Sequence, residues 1–239
     1  HPTIFYGAGI YSADFPGEVR KTIRNKIGRP IPVLFLNGAQ GDISIENMLN
    51  HRAETVEEKL KRVSELVVSK TMELYKNVSY DDNPVLKHDY HDLKVALRRP
   101  SVERLIESRN TMARFDKGEN IGVMETILSY GAIRLEELYV DNPFEILPIH
   151  AVRIGDLAIV TQPCELYCQF GLDIKRRSPA STTAVVGLTD GHGGYCPTIY
   201  GILGGGYSGA PIAWCRLEPY AGYKIVETAA KLLNGLFRD

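Results

Sequence analysis

The sequence has few cysteines, no long apolar run and no excess of charge of either sign. Four cysteines in 239 residues are too few for a disulfide framework, so all four are predicted to be free thiols. The 28 basic and 29 acidic residues nearly cancel, so the net charge of the chain does not attract nucleic acid or an anionic membrane. The longest apolar runs, such as 157–160, have the length of a strand, whereas a spanning helix needs about 20 residues. The sequence therefore predicts no nucleic-acid partner and no transmembrane segment.

The size and composition are those of a globular protein. At 44% hydrophobic and 24% charged residues, the chain can form a sizeable core. The first residue is His1, and no charged-then-apolar leader precedes the first structural segment. We expect residues 1–239 to form a single domain, with a further segment of the same protein upstream.

The hydrophobic pattern predicts alternating strands and helices. Val33–Leu36 is predicted to be a buried strand that leaves its sheet through a glycine-rich turn, which places Ser44 just beyond a strand end. The other predicted strands are 85–97, 144–154, 157–161 and 183–188, and the predicted helices are 53–78, 101–115, 121–139, 166–174 and 221–237. Gly155-Asp156 favours a tight hairpin turn. This order predicts an α/β fold, with a layered mixed sheet flanked by helices.

One acidic residue stands at a position where α/β proteins bind ligands. Glu165 follows an apolar strand and Pro163, and ligands gather at the carboxyl ends of strands. A structural explanation is also open, because an acid in the first turn of a helix is favoured by the helix dipole. Residues 189–219 form a long glycine-rich stretch without regular periodicity, which in a compact domain is more often functional than idle. This stretch carries His192, Tyr195 and Tyr207.

Several short motifs together resemble one known family. They are His1-Pro2-Thr3, Gly41-Asp42-Ile43-Ser44, Pro163-Cys164-Glu165, Gly194-Tyr195-Cys196-Pro197-Thr198 and Tyr207-Ser208-Gly209-Ala210. In order and spacing they resemble the neutral/alkaline ceramidases over nearly the whole chain. The resemblance implies the C-terminal part of the ceramidase catalytic domain, in a short form without the family's C-terminal β-sandwich domain.

The resemblance also assigns roles to five residues. It implies that His1, Glu165 and Tyr195 coordinate Zn²⁺, that Ser44 is the reactive serine and that Tyr207 bonds near it. Zinc accepts nitrogen and oxygen ligands, and a catalytic zinc keeps one position open. The expected activity is hydrolysis of an amide bond in a small-molecule N-acyl amide or lipid-like substrate, by metal-activated water with an active-site serine.

The sequence departs from the family pattern in two places. The family's first zinc histidine, a second active-site histidine and an arginine near the serine would all lie upstream of residue 1. After Ser44 the chain has Ile45-Glu46-Asn47, where ceramidases have Pro-Asn. The alternative is therefore a non-catalytic binding or assembly module that keeps the ceramidase-like fold and has lost the full metal site.

Other interpretations of the candidate residues are weaker. Gly204–Gly209 has the spacing of a dinucleotide fingerprint, but no strand runs directly into it and Pro211 follows where a helix should begin. A triad of Ser44, Asp190 and His192 lacks the expected nucleophile elbow. His88 and His91, three residues apart on a strand, face opposite sides, so we interpret them as surface or structural histidines. His51 and His150 receive the same interpretation.

Overall fold

The computed structural model describes residues 1–238, which form two compact units. The first unit comprises 1–37 and 43–83, and the second comprises 38–42 and the chain from Pro84 onward. The prediction of one domain over 1–239 stays a prediction.

The first unit is built on two helices, α1 (Asp14–Ile27) and α2 (Val56–Tyr75). Helix α2 confirms the helix predicted over 53–78, and Thr55 caps it through a capping box with Glu58. Helix α1 was not predicted, although its buried residues Phe15, Val19 and Ile23 recur every four residues. Its apolar face packs with residues of α2 in one small core.

The predicted strand over Val33–Leu36 is wrong. The segment has no strand partner in residues 1–238 and no regular secondary structure. Val33 and Phe35 pack against the core of the first unit, whereas Leu34 is 85% exposed and Leu36 is 51% exposed. Half of this apolar run therefore lies on the surface, and Ser44 does not follow a strand.

The second unit is organised around a four-stranded mixed sheet in the order β1–β2–β3–β5. These strands are β1 (Leu86–Ala96), β2 (Phe144–Ile154), β3 (Leu157–Thr161) and β5 (Thr182–Val186), and they confirm four of the predicted strands. Strands β1, β2 and β3 pair antiparallel, whereas β3 and β5 pair parallel. Ile154 pairs with Leu157, and Gly155 has φ of 62°. The predicted two-residue hairpin turn is thus confirmed, with glycine at the position that requires positive φ.

Helices complete the second unit and confirm the predicted class of fold. They are α3 (Val102–Asp116), α4 (Val123–Asp141), α5 (Cys168–Arg177), the short α6 (Ile199–Gly204) and α7 (Ala221–Leu236). Helix α7 packs on β1 and β2, and α5 packs on β5. Leu147, Ile149 and Val160 on one face of the sheet form the main core with Ile225 and Leu233 of α7. The fold is therefore mixed α/β, with a mixed sheet flanked by helices.

Two short parallel strands, β4 (Cys164–Leu166) and β6 (Gly194–Cys196), form a separate small sheet. They correct one prediction, because residues 189–219 contain β6 and α6 instead of being wholly irregular. No helix within residues 1–238 is long and apolar enough to cross a membrane.

Candidate functional site

The pairing of β4 with β6 sets Glu165 beside Tyr195. The two residues are direct partners in the parallel register. Their neighbours in the strands, Cys164, Leu166 and Cys196, are buried in the main core. Because side chains alternate along a strand, Glu165 and Tyr195 project together from the opposite face. Both are half-buried.

The Tyr195 phenol is held in its protonated form. Its pKa is raised well above the usual range, chiefly by burial and next by the negative charge of Glu165, with which it also forms a side-chain hydrogen bond. Two oxygen atoms that can both carry negative charge therefore face each other in a partly desolvated place. Such a pair favours a proton or a cation between its members.

Tyr207 and Trp214 extend this pair into an aromatic cluster. The ring centroids of Tyr195 and Tyr207 are 5.7 Å apart in an edge-to-face arrangement. The Trp214 ring lies 5.3 Å from that of Tyr207, and its Nε1 donates to the Tyr207 carbonyl oxygen at 3.1 Å. The Tyr195 amide donates to the Trp214 carbonyl oxygen at 2.7 Å. The loop 207–215 thus contacts both the ring and the backbone amide of Tyr195.

An arginine at the end of β1 fastens this loop to the sheet. Arg98 follows the end of β1, and its Nη1 donates to the Gly209 carbonyl oxygen at 2.8 Å. Its Nη2 contacts the carbonyl oxygens of Ala210 and Cys215 and the Cys215 sulfur. Burial raises the pKa of the Cys215 thiol to about 11, which keeps it neutral beside the guanidinium. Arg98 therefore shapes the loop that carries Tyr207.

The segment 38–42 lies against the strand that carries Glu165. The Gly41 amide donates to the Leu166 carbonyl oxygen at 2.9 Å, and Asp42 Oδ1 accepts from the Cys168 amide at 2.6 Å. A Cβ atom at Gly41 would overlap the Glu165 carbonyl oxygen and touch the Tyr167 ring. Only glycine permits this close approach.

Tyr167 is a polar residue of the same region that the sequence did not single out. Its hydroxyl lies 2.8 Å from the Ser208 hydroxyl, and burial raises its pKa. It stands two residues after Glu165, and α5 begins at the residue that follows it. Trp214, the sole tryptophan, was missed as well. Its uniqueness was the one signal that could have drawn attention to it.

His1 and Ser44, the other two predicted site residues, belong to the first unit. The His1 ring Nδ1 is 3.3 Å from the carbonyl oxygen of Ile43, the residue before Ser44. The Ser44 hydroxyl accepts a hydrogen bond from the Glu46 amide at 3.0 Å and is exposed. The five predicted residues are therefore gathered into two groups, with Glu165, Tyr195 and Tyr207 together in the second unit.

The donor chemistry of Glu165 and Tyr195 fits a zinc ion. A carboxylate is an established zinc ligand, and a phenol becomes one when a cation replaces its proton. As direct partners in the β4–β6 register, the two residues project side by side from one face of the small sheet. Within residues 1–238, no three or more His, Cys, Asp or Glu side chains form a cluster that could hold a metal. The pair of Glu165 and Tyr195 is not such a cluster, because it contains one residue of these four types and a tyrosine, which is not among them.

The remaining candidates occupy other places. Asp190 lies 3.4 Å from Nε2 of His150, while the His192 carbonyl oxygen accepts from Arg216, so the triad interpretation has no support. His88 is exposed, as predicted, and stacks with His150 at 5.3 Å between ring centroids. All four cysteines are free thiols, three of them buried.

Comparison with known proteins finds similarity in structure and none in sequence. No family model and no curated protein matches the chain. A crystal structure of neutral ceramidase from Pseudomonas aeruginosa matches with a TM-score of 0.64 at 14% identity, over 100% of this chain and 44% of that one. A structure described as ceramidase complexed with C2 matches with a TM-score of 0.49 at 12% identity, over 77% of this chain and 35% of that one.

The first of these matches defines the class of fold. The second unit and its mixed sheet belong to a ceramidase-like α/β fold. The chain spans less than half the length of that ceramidase chain. At this identity the likeness concerns the fold alone, and function depends on the residues of the site.

Proposed function

We propose that this chain is part of a zinc-dependent amidohydrolase of the neutral/alkaline ceramidase family, which cleaves the amide bond of a small N-acyl amide or lipid-like substrate. The observation that carries the proposal is the pairing of Glu165 with Tyr195 on β4 and β6, with Tyr207 against the Tyr195 ring. The similarity of fold to a neutral ceramidase supports it independently.

In this proposal Glu165 and Tyr195 are zinc ligands, and the resemblance to the ceramidases assigns His1 the same role. The bound zinc supplies Lewis acidity toward the amide carbonyl and toward a water molecule. Glu165 contributes negative charge to the ion. Tyr195 would release its proton to solvent on holding the ion, since a phenol with a raised pKa coordinates strongly only as phenolate.

Two further residues act on the substrate. Ser44 attacks the amide carbonyl or orients the attacking water. Tyr207 donates a hydrogen bond to the developing oxyanion, which is worth about 3 kcal/mol in comparable sites. Trp214 and Arg98 hold the backbone of the loop that carries Tyr207, so they fix the position of this donor.

The proposal is tested by titrating the metal-free native polypeptide with Zn²⁺ at mildly alkaline pH while recording tyrosinate absorption. We expect the absorption of one tyrosinate to appear as the ion binds and to be absent from Tyr195→Phe. Tyr167→Phe is the matched control, because it removes a neighbouring phenol that has no ligand role and should keep the signal.

Hydrolysis of a panel of N-acyl amides, including ceramide, gives the second readout. Activity should depend on Zn²⁺ and fall at least a hundredfold in Ser44→Ala and in Glu165→Gln. Zinc binding without a tyrosinate signal would remove Tyr195 from the ligand set. If the protein neither binds zinc nor hydrolyses any of these amides, the alternative of a non-catalytic module with the same fold is supported instead.

A further inference from the structure

The outer edge of β1 is an open strand edge, distant in sequence from the candidate site. Within residues 1–238, β2 is the sole strand that pairs with β1. The side chains from Leu86 to Asp92 are all exposed, and Tyr90 is 56% exposed. The open part of this edge ends before Ala96, whose backbone bonds to Glu218. A long exposed edge is a template for pairing with another strand.

Backbone hydrogen bonds reveal which residues of β1 face this edge. The Ala96 amide donates to Glu218 Oε1, and the Ala96 carbonyl oxygen accepts from the Glu218 amide, so the backbone of Ala96 points away from β2. In an antiparallel ladder this direction alternates, so His88, Tyr90 and Asp92 point the same way. The Tyr90 amide accordingly bonds to the side chain of its neighbour Asp89, at 2.8 Å.

The side chains along β1 are complementary to themselves in one antiparallel register. With two copies related by a two-fold axis at Tyr90, His88 faces Asp92 of the other copy, and Asp89 faces His91. Tyr90 faces Tyr90, which is a favourable aromatic pair. Shifting the axis to residue 89 sets Asp89 against Asp89, and shifting it to residue 91 sets His88 against Lys94. An axis at residue 88 forms two Lys87–Asp89 contacts, whereas the axis at Tyr90 forms four His–Asp contacts, so the register centred on Tyr90 has the most complementary pairs.

We propose that β1 pairs antiparallel with β1 of a second copy of this chain, about a two-fold axis at Tyr90, so that the two four-stranded sheets become one continuous sheet. The axis makes each His–Asp contact occur twice, as an isologous interface requires. Tyr90 exchanges two backbone hydrogen bonds with its counterpart, and Asp89 is released from the Tyr90 amide to pair with His91.

The imidazole of His88 is already ordered for this pairing. Its Nε2 lies 3.1 Å from His150 Nδ1, and its ring is stacked between neighbours on the same face of the sheet. This contact uses one ring nitrogen and leaves the other for Asp92 of the second copy. Little side-chain entropy remains to be lost when the edges meet.

Sedimentation velocity of the native polypeptide over a range of concentrations tests the pairing. His88→Asp sets two like-charged pairs in the interface and should weaken the dimer about tenfold or more. The double variant His88→Asp, Asp92→His exchanges the two partners and should restore the affinity to within about threefold of wild type. A wild-type monomer at every concentration, or a double variant as weak as the single one, would overturn the proposal.

Cysteine cross-linking tests the register. Cα atoms of a hydrogen-bonded antiparallel pair are about 5.5 Å apart, within the range of a disulfide. Under a mild oxidant, Tyr90→Cys in a Cys168→Ser background should therefore give a covalent dimer. In Asp92→Cys the two thiols are offset by four residues, about 13 Å along the strands, and should not cross-link. Equal cross-linking of both variants would contradict this register.

The proposed dimer can be tested independently of the proposed zinc chemistry. Zinc content and hydrolysis should be unchanged in His88→Asp, since His88 takes no part in the proposed site. A protein that binds zinc but never dimerises would refute the pairing alone.

Discussion

The small β4–β6 sheet and the outer edge of β1 are opposite kinds of strand surface in the same unit. Around β4 and β6, each backbone approach is tight, and glycines occur where a Cβ would collide with a neighbour. Along β1, the side chains from residue 86 to 92 are exposed, and they include the charged residues Lys87, Asp89 and Asp92. The tightly packed β4–β6 sheet holds the Glu165 carboxylate beside the Tyr195 phenol, although the charge of the carboxylate opposes ionisation of the phenol. The open edge of β1 instead exposes polar groups to which a partner can bind. We therefore expect substitutions to be severe at the first place and mild at the second.

The largest effect is expected at Gly41. In Gly41→Ala the added methyl group overlaps the Glu165 carbonyl oxygen, so the backbone of β4 or of segment 38–42 must move. Overpacking of this kind costs about 1–3 kcal/mol in the free energy of unfolding. Denaturant unfolding measures this cost. Gly235→Ala is the control, because no atom lies within 4 Å of its added Cβ, and it should be neutral or stabilising.

A slightly smaller effect is expected at Arg98. Arg98→Met keeps the length of the side chain but leaves the buried carbonyl oxygens of Gly209, Ala210 and Cys215 without their donor. The expected loss is about 2 kcal/mol. Thermal unfolding reports it, and near-ultraviolet circular dichroism should change with it because Trp214 is in the released loop. An unchanged spectrum in Arg98→Met would mean that other contacts fix the loop.

An intermediate effect on stability is expected in the hairpin between β2 and β3. Gly155→Ala forces a residue with a Cβ to adopt φ near 62° and should destabilise the protein by about 1 kcal/mol. Asp156→Asn is the matched control at the adjoining turn position and should cost less, because its side-chain oxygen can still accept from the Ser181 hydroxyl. Equal losses for both variants would contradict the assignment of strain to Gly155.

The smallest effect on stability is expected at the open edge. Tyr90→Thr keeps a residue that favours strands, and the side chain is exposed, so the free energy of unfolding should change by less than about 0.5 kcal/mol when measured at a concentration where the protein is monomeric. A loss above 1 kcal/mol would show that the ring stack of His88, Tyr90 and His150 supports the sheet itself.

Elements with regular periodicity could be predicted from the sequence, whereas those fixed by close contact could not. Strand β2 follows a period-two pattern, β3 lies in an apolar run, and α2 and α7 follow helical patterns. Val33–Leu36 misled because an apolar run predicts burial, yet Leu34 and Leu36 lie on the surface. Strands β4 and β6 are three residues each, too short for any periodicity to appear.

The candidate site was predictable only in part for the same reason. The resemblance singled out Glu165 and Tyr195, but no spacing in the sequence indicates that they are register partners, since that follows from the β4–β6 pairing. Tyr167, Arg98 and Trp214 contribute through hydrogen bonds between segments distant in sequence. Such contacts leave no local pattern.

The zinc content of the native polypeptide, purified without chelator or added metal, tests the central claim most directly. We predict about one zinc per chain in the wild type and in the edge variant His88→Asp, and almost none in Glu165→Gln, Tyr195→Phe. A wild-type protein without zinc, or full occupancy in the double variant, would contradict the assignment of Glu165 and Tyr195 as ligands.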